Sequence, residues 1–176
     1  MTEWDVEPSI AALLRAYKFN LKYAQQLIRD LPDDAAFTSG GPGLENHPGF
    51  VIGHLVTGAG LAAAGFNGHN TVDPQVRMVF ERKGPNDERL PINEESKFSL
   101  SELSQMLIVQ HDIVSAEIEN CSREKWMRPK AWRLGEYFPT FFDACWFLCV
   151  THESLHLGQL AAWRRWYGLP SAMAQL

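Results

Sequence analysis

A chain of 176 residues with 45% hydrophobic and 21% charged residues is long enough to bury a core without disulfide staples, and its composition excludes a disordered or fibrous protein. Lys and Arg number 16 against 21 Asp and Glu, a formal net charge of -5 with no long basic block, so nucleic acid is not expected as a partner. The 3 cysteines, Cys121, Cys145 and Cys149, form no CxxC pattern and fit a reducing, cytoplasmic setting. No basic region followed by an apolar stretch opens the sequence, and no run approaches the ~20 uninterrupted apolar residues of a membrane span, so no membrane association is expected.

Helical periodicity marks four segments, each placed on a wheel of about 100° per residue. In the first, residues 7–31, Ile10, Leu14, Tyr17, Leu21, Ala24 and Ile28 share a stripe, and Leu31-Pro32-Asp33 stops the helix. The second, 48–67, puts Phe50, Val51, His54, Gly58, Leu61 and Gly65 on one face, with Asn46 as the expected N-cap and Pro48 in the first turn. "VRMVFE" at 76–81 reads as a short extended piece.

The third helix, 99–121, aligns Leu103, Leu107, Gln110, Val114 and Glu117 behind the candidate caps Ser99 and Ser101. The fourth, 140–167, aligns Phe141, Cys145, Leu148, His152, His156, Gln159 and Trp163 and stops at Gly168-Leu169-Pro170. The economical architecture is a single all-α domain over 1–176, a four-helix bundle. The connection 68–98 is too long for a hairpin between neighbouring helices and implies a crossover between the second and third. The aromatic and basic loop 122–139 forms a lid or covers the bundle end.

"HESLH" at 152–156 lies within the fourth helix. His152 and His156, at i and i+4, share a helical face and can converge on one ion. Two neutral imidazoles on one buried face are costly unless partnered, and one divalent cation serves both. His54, from the apolar face of the second helix, supplies a third imidazole and leaves coordination positions for water or substrate, as in catalytic zinc sites. The same string is a zinc-peptidase signature, but those enzymes take a further ligand downstream, and "LGQLAAWRRWYGLPSAMAQL" contains no His, Asp, Glu or Cys. Glu153, about 100° around the helix from His152, is a candidate general base, a support for a ligand, or a solvated residue.

"NHPGFVIGHLVTGAG", followed some way on by "THESLHLGQLAAWRRWYGLP", resembles the DinB-like (YfiT-type) four-helix-bundle superfamily. The resemblance implies His54, His152 and His156 as metal ligands, with zinc first and nickel, manganese or iron as alternatives. It further implies a bundle that is often dimeric, and a family that includes metal-dependent transferases and isomerases using low-molecular-weight thiols. A thiol transfer to a small-molecule electrophile is thus one expectation. A metal- or ligand-binding stress protein without turnover is the other.

Among the remaining polar residues, His47 reads as a helix-start or surface residue, His69 as loop and His111 as a pocket-rim candidate. Gln110 and Gln159 face the expected core, as ligand-orienting groups or as cross-helix amides. Cys145 and Cys149 at i, i+4 read as small core residues rather than thiolate ligands. Arg164 and Arg165 suit the negative end of the helix macrodipole, and Trp163 and Trp166 flank the core stripe.

Overall fold

Each helix begins where a capping signal meets an apolar stripe, and the computed structural model, which describes residues 6–82, 87 and 92–176, shows which stripes are buried. The first helix, α1 (Val6–Ile28), buries Leu13, Tyr17, Asn20, Ala24 and Leu27. The centre of its buried face lies one position before Leu14 and Ile28, which flank it. A polar Asn20 therefore sits on the inward face of α1, where the sequence stripe had not placed it.

α2 (Pro48–Asn67) spans the expected residues, but His47, not Asn46, is its N-cap, its Nδ1 accepting from the Phe50 amide at 3.0 Å. His47 is buried instead of superficial, and its Nε2 lies 2.5 Å from Glu95 Oε2. The αL residue Gly68, at φ 79°, closes the helix. By length and mean hydropathy α2 qualifies as a membrane-crossing helix, despite the small residues that interrupt its apolar run, but 78% of the qualifying window is buried in the protein's own core. Its inward burial explains why it is apolar on almost every side.

The segment expected to be extended is a helix, α3 (Pro74–Phe80). Asp73 caps it by accepting from the Gln75 amide at 2.7 Å, Pro74 fills the first turn, and Val76, Val79 and Phe80 bury one face at helical spacing. Those three signals outweigh the β propensity of the two valines. A short α4 (Ile92–Glu95) follows, anchored to the start of α2 through the His47–Glu95 contact. The expected crossover falls partly on 83–86 and 88–91, outside the described residues.

α5 (Leu100–Asn120) opens with a capping box in which Ser99 and Glu102 satisfy each other's backbone amides. It buries Leu103, Leu107, Gln110, His111, Val114 and Ile118, so Ile118 takes the place expected for Glu117. After α6 (Arg123–Trp126), the last expected helix is a continuous run in three parts. α7 (Phe141–Trp146) leads into a π turn, Phe147–His152, and then into α8 (Glu153–Tyr167), which ends at Gly168 with φ 86°.

The described residues contain no β-strand, and the fold is all-α. The long helical runs carry the packing: α2 lies against α5 and α8, and α1 against the same two. One core cluster gathers Leu27, Phe50, Leu55, Phe80, Leu107 and Leu160; the other gathers Tyr17, Phe66, Val114, Trp126, Phe141 and Cys149. This packing places the middle of α2 against the junction of the π turn and α8.

Candidate metal centre

Three imidazoles meet at that junction. His54 arrives from α2, His152 from the end of the π turn and His156 from the first turn of α8, with one nitrogen of each within 4.8 Å of the others. His54 Nδ1 lies 2.9 Å from the Phe80 carbonyl, which accepts its proton and leaves Nε2 as the lone-pair nitrogen. His156 Nδ1 stands in the same relation to Gln159 Oε1 at 3.0 Å. Asn46 Nδ2 donates to that same Gln159 oxygen at 2.6 Å, so the residue freed from capping α2 steadies the amide behind His156. Such outer hydrogen bonds fix ring orientation and tautomer at metal-bound histidines.

His152 Nε2 is 3.2 Å from His156 Nε2. Its Nδ1 is buried and has no hydrogen-bond partner among the described residues. Burial, then the neighbouring His156 and His54, then Arg133, lower its pKa to about 3, so the ring is neutral at pH 7. Gly58 makes room for it: a Cβ there would lie 3.4 Å from His152 Cε1 and Nδ1. Three convergent imidazole nitrogens, two of them oriented from behind, fit a divalent metal ion.

The triad opens into a cavity of about 580 Å³. Leu61, Phe147, Leu148 and Trp132 give it an apolar wall, and Arg133 brings a cation to it. Trp132 and Arg133 come from the loop 122–139, which therefore contributes to the cavity wall. The Trp132 indole donates to the Phe138 carbonyl at 2.8 Å, holding the loop against itself.

Glu153 is not brought to this cavity. The wheel places the histidines at the centre of the buried stripe with Glu153 off it; in the structure Glu153, Leu157, Leu160, Trp163 and Arg164 are the buried residues of α8, so Trp163 of the expected stripe is buried while the histidines are half-buried and Gln159 is exposed. The π turn is the reason, because its wider turn offsets the residues after it from a uniform 100° progression. Glu153 Oε1 accepts from His111 Nε2 at 3.0 Å, and His111 stacks on Tyr17 with ring centroids 3.8 Å apart. His111 is thus an interior residue, not part of a pocket rim. Burial raises the Glu153 pKa, opposed by His111 and by the Asn20 amide.

The other residues take structural places. Gln110 Oε1 accepts from Thr71 Oγ1 at 2.5 Å, as a cross-connection amide. Cys145 and Cys149 are buried with sulfurs 3.8 Å apart, and the Cys145 contact and burial push the Cys149 thiol well above its ordinary range. His69 is exposed in a loop. Arg164 lies in the last turn of α8 as expected, but it is buried and bonds Asp30, the Leu27 carbonyl and the Pro170 carbonyl. Sequence reasoning missed Asn20 and the Phe80 carbonyl; Asn20 was visible as a polar residue amid the α1 stripe, whereas a backbone carbonyl leaves no sequence signal.

The family model of the DinB superfamily matches residues 16–160, from within α1 to within α8. The chain belongs to the DinB superfamily. The match spans all three histidines and the helices that carry them, and the superfamily is generally metal-binding. No curated protein matches the chain. Within this DinB-superfamily protein, the residues behind the histidines come from α3, α8 and the segment before α2, so the centre draws on most of the matched length.

Proposed function

We propose that this DinB-superfamily protein binds one divalent metal ion through His54, His152 and His156 and transfers a low-molecular-weight thiol, or a related nucleophile, to a small electrophile. The convergence of three imidazole nitrogens within 4.8 Å carries the reading. A divalent ion held there supplies Lewis acidity that makes a thiol or a water nucleophilic near neutral pH. Zinc is the first candidate, with nickel and iron suited to the same donors and manganese, which favours oxygen ligands, the weakest of the alternatives. The chain's own part is to hold the ligands oriented, through the Phe80 carbonyl and Gln159, and to offer an apolar wall to the electrophile. Arg133, exposed at the cavity, suits an anionic group on either reactant.

We read the four long helical runs as a four-helix bundle, with α3, α4 and α6 in its connections, and the protein as a cytoplasmic homodimer acting on a small molecule. A second reading, a bundle that binds metal and ligand without turnover, draws support from Glu153. Its carboxylate faces His111 and not the cavity, so the adjacent general base of a peptidase is not in reach. Metal analysis of the purified protein, followed by thiol-consumption assays over a panel of electrophiles with and without added zinc, nickel or manganese, tests both. Metal-dependent thiol consumption supports transfer; bound metal with no turnover on the panel favours the binding protein; absence of metal after reconstitution removes both.

A further inference from the structure

α8 does not continue α7 in a regular ladder: Phe147–His152 is a π turn, and the candidate ligand His152 is its last residue. Single π turns inside α-helices carry an extra residue and disturb the i→i+4 pattern, so something outside the helix commonly holds them in place. Here the outside group is one side chain from α1. Asn20, 5% exposed, donates through Nδ2 to the Cys149 carbonyl at 3.2 Å and to the Val150 carbonyl at 3.3 Å. Its Oδ1 accepts from Ser154 Oγ at 3.4 Å, on the far side of His152.

The amide therefore spans the end of the π turn, touching residues before and after His152. A polar residue at the middle of an inward helix face is costly unless its bonds are made, and these are the bonds Asn20 makes. The register matters because Glu153 and His152 are neighbours assigned to opposite environments. A regular turn in place of the π turn would rotate the residues before it relative to those after it, altering how His152 faces His54 on α2.

We infer that Asn20 is a positioning residue for the candidate metal centre: it holds the π turn in register and so sets where His152 meets His54 and His156. The consequence for metal rests on the reading above; the hold on the π turn does not.

The test pairs cobalt(II) titration, read by its d–d absorption, with amide hydrogen exchange on the full chain. Asn20→Leu keeps the size of the side chain and removes its donors. Leu27→Ala, a core truncation further along α1 in the other core cluster, controls for general loss of stability, matched by urea midpoint. For Asn20→Leu we expect cobalt(II) affinity about 10- to 100-fold weaker, the scale of lost outer-shell support, with an altered d–d spectrum and faster exchange at residues 150–155 than in the rest of α8. Leu27→Ala is expected to change none of these selectively. Unchanged affinity, spectrum and exchange in Asn20→Leu overturns the inference, as does the same pattern in Leu27→Ala. If wild-type protein binds no cobalt(II), the metal reading fails alone, and exchange still decides whether Asn20 holds the turn. Should Asn20→Leu not fold, Asn20→Ser replaces it, with the same directions expected and the same overturning results.

Discussion

His152 Nε2 stands 3.2 Å from His156 Nε2, and His156 has its other nitrogen committed to Gln159. With the His156 proton on Nδ1, its Nε2 offers a lone pair toward His152. That arrangement is satisfied in one of two ways, by a proton on His152 Nε2 or by a cation between the rings. The first leaves the buried His152 Nδ1 as a bare acceptor and the second as a bare donor, but only the second recruits His54 as well.

The cation alternative gives the first prediction. Purified protein is expected to hold about one divalent ion per chain by elemental analysis, by the stoichiometry of a three-imidazole site. His54→Ala, His152→Ala and His156→Ala should each lose most of it. Removing the ion with a chelator should lower the melting temperature of the wild type and leave the three variants unmoved, because only the form that binds gains from the ligand. A His54→Ala protein that keeps its metal would separate α2 from the site.

Acid sensitivity follows from His152, whose pKa is lowered to about 3, first by burial. In the unfolded chain the same imidazole titrates near 6.5, so between these values the unfolded state binds the extra proton and stability falls as pH drops. Glu153, whose pKa is raised by burial, slopes the other way above its unfolded value near 4.5, since there the folded state retains the proton. The difference between wild type and His152→Gln isolates the histidine. Urea midpoints of metal-free protein from pH 7.5 to 5 should fall more steeply in wild type; parallel lines would mean His152 is not held neutral.

Glu153 is predicted to matter for stability more than for chemistry. Glu153→Gln keeps the shape and one acceptor for His111, and should retain metal and any thiol-dependent activity within about 3-fold, a change of roughly 0.7 kcal/mol. Glu153→Ala strips the buried His111 Nε2 of its partner and should cost about 1–3 kcal/mol in urea unfolding. A loss of activity in Glu153→Gln beyond 100-fold, with metal and stability intact, would return the residue to a catalytic role.

The comparison of Glu153 with its neighbours also shows what a one-dimensional wheel can resolve. The helices on which His54, His152 and His156 sit were legible because caps, Gly-Pro stops and apolar spacing are local properties of the chain. So was the pairing of the two downstream histidines, since i and i+4 share a face whatever the phase of the helix. The phase itself was not legible. A π turn at Phe147–His152 shifts it, and only the contact with Asn20, far away on α1, marks where the extra residue sits. The helix at 74–80 differs from the expected extended piece for another reason: its valines carry β propensity, whereas the Asp73-Pro74 start signal, also local, sets a helix.

Arg164 offers a prediction about the scaffold. It is 2% exposed, pairs with both oxygens of Asp30 at 2.5 and 3.1 Å, and bonds two carbonyls that end α1 and follow α8. Its hydrogen bond holds the Asp30 carboxyl below the usual range. Arg164→Ala leaves those carbonyls buried without a donor and should destabilise by about 3–5 kcal/mol, while Asp30→Asn, at the more exposed end, should cost about 1–2 kcal/mol. Equal effects would show that the Asp30 pair, and not the carbonyl bonds, carries the stabilisation.

Gly53 connects helix packing to the candidate metal centre and gives the last prediction. A Cβ at Gly53 would fall 2.5 Å from Phe80 Cγ and Cδ1, closer than real Cβ contacts, so the ring or the backbone of α3 must move. Phe80 has little freedom, being fully buried and packed on Phe98. Its carbonyl is also the acceptor that orients His54 Nδ1, so a shift of α3 away from α2 lengthens that bond and frees the imidazole to turn. Gly53→Ala should therefore cost about 1–3 kcal/mol from overpacking, and in addition weaken metal binding about 10-fold. The compensating double variant Gly53→Ala with Phe80→Leu should recover part of both, because the smaller side chain lets α3 return. Calorimetric titration of the metal-free proteins with zinc reads the affinity and urea unfolding reads the stability; recovery of stability without recovery of affinity would show that His54 does not depend on the Phe80 carbonyl for its orientation.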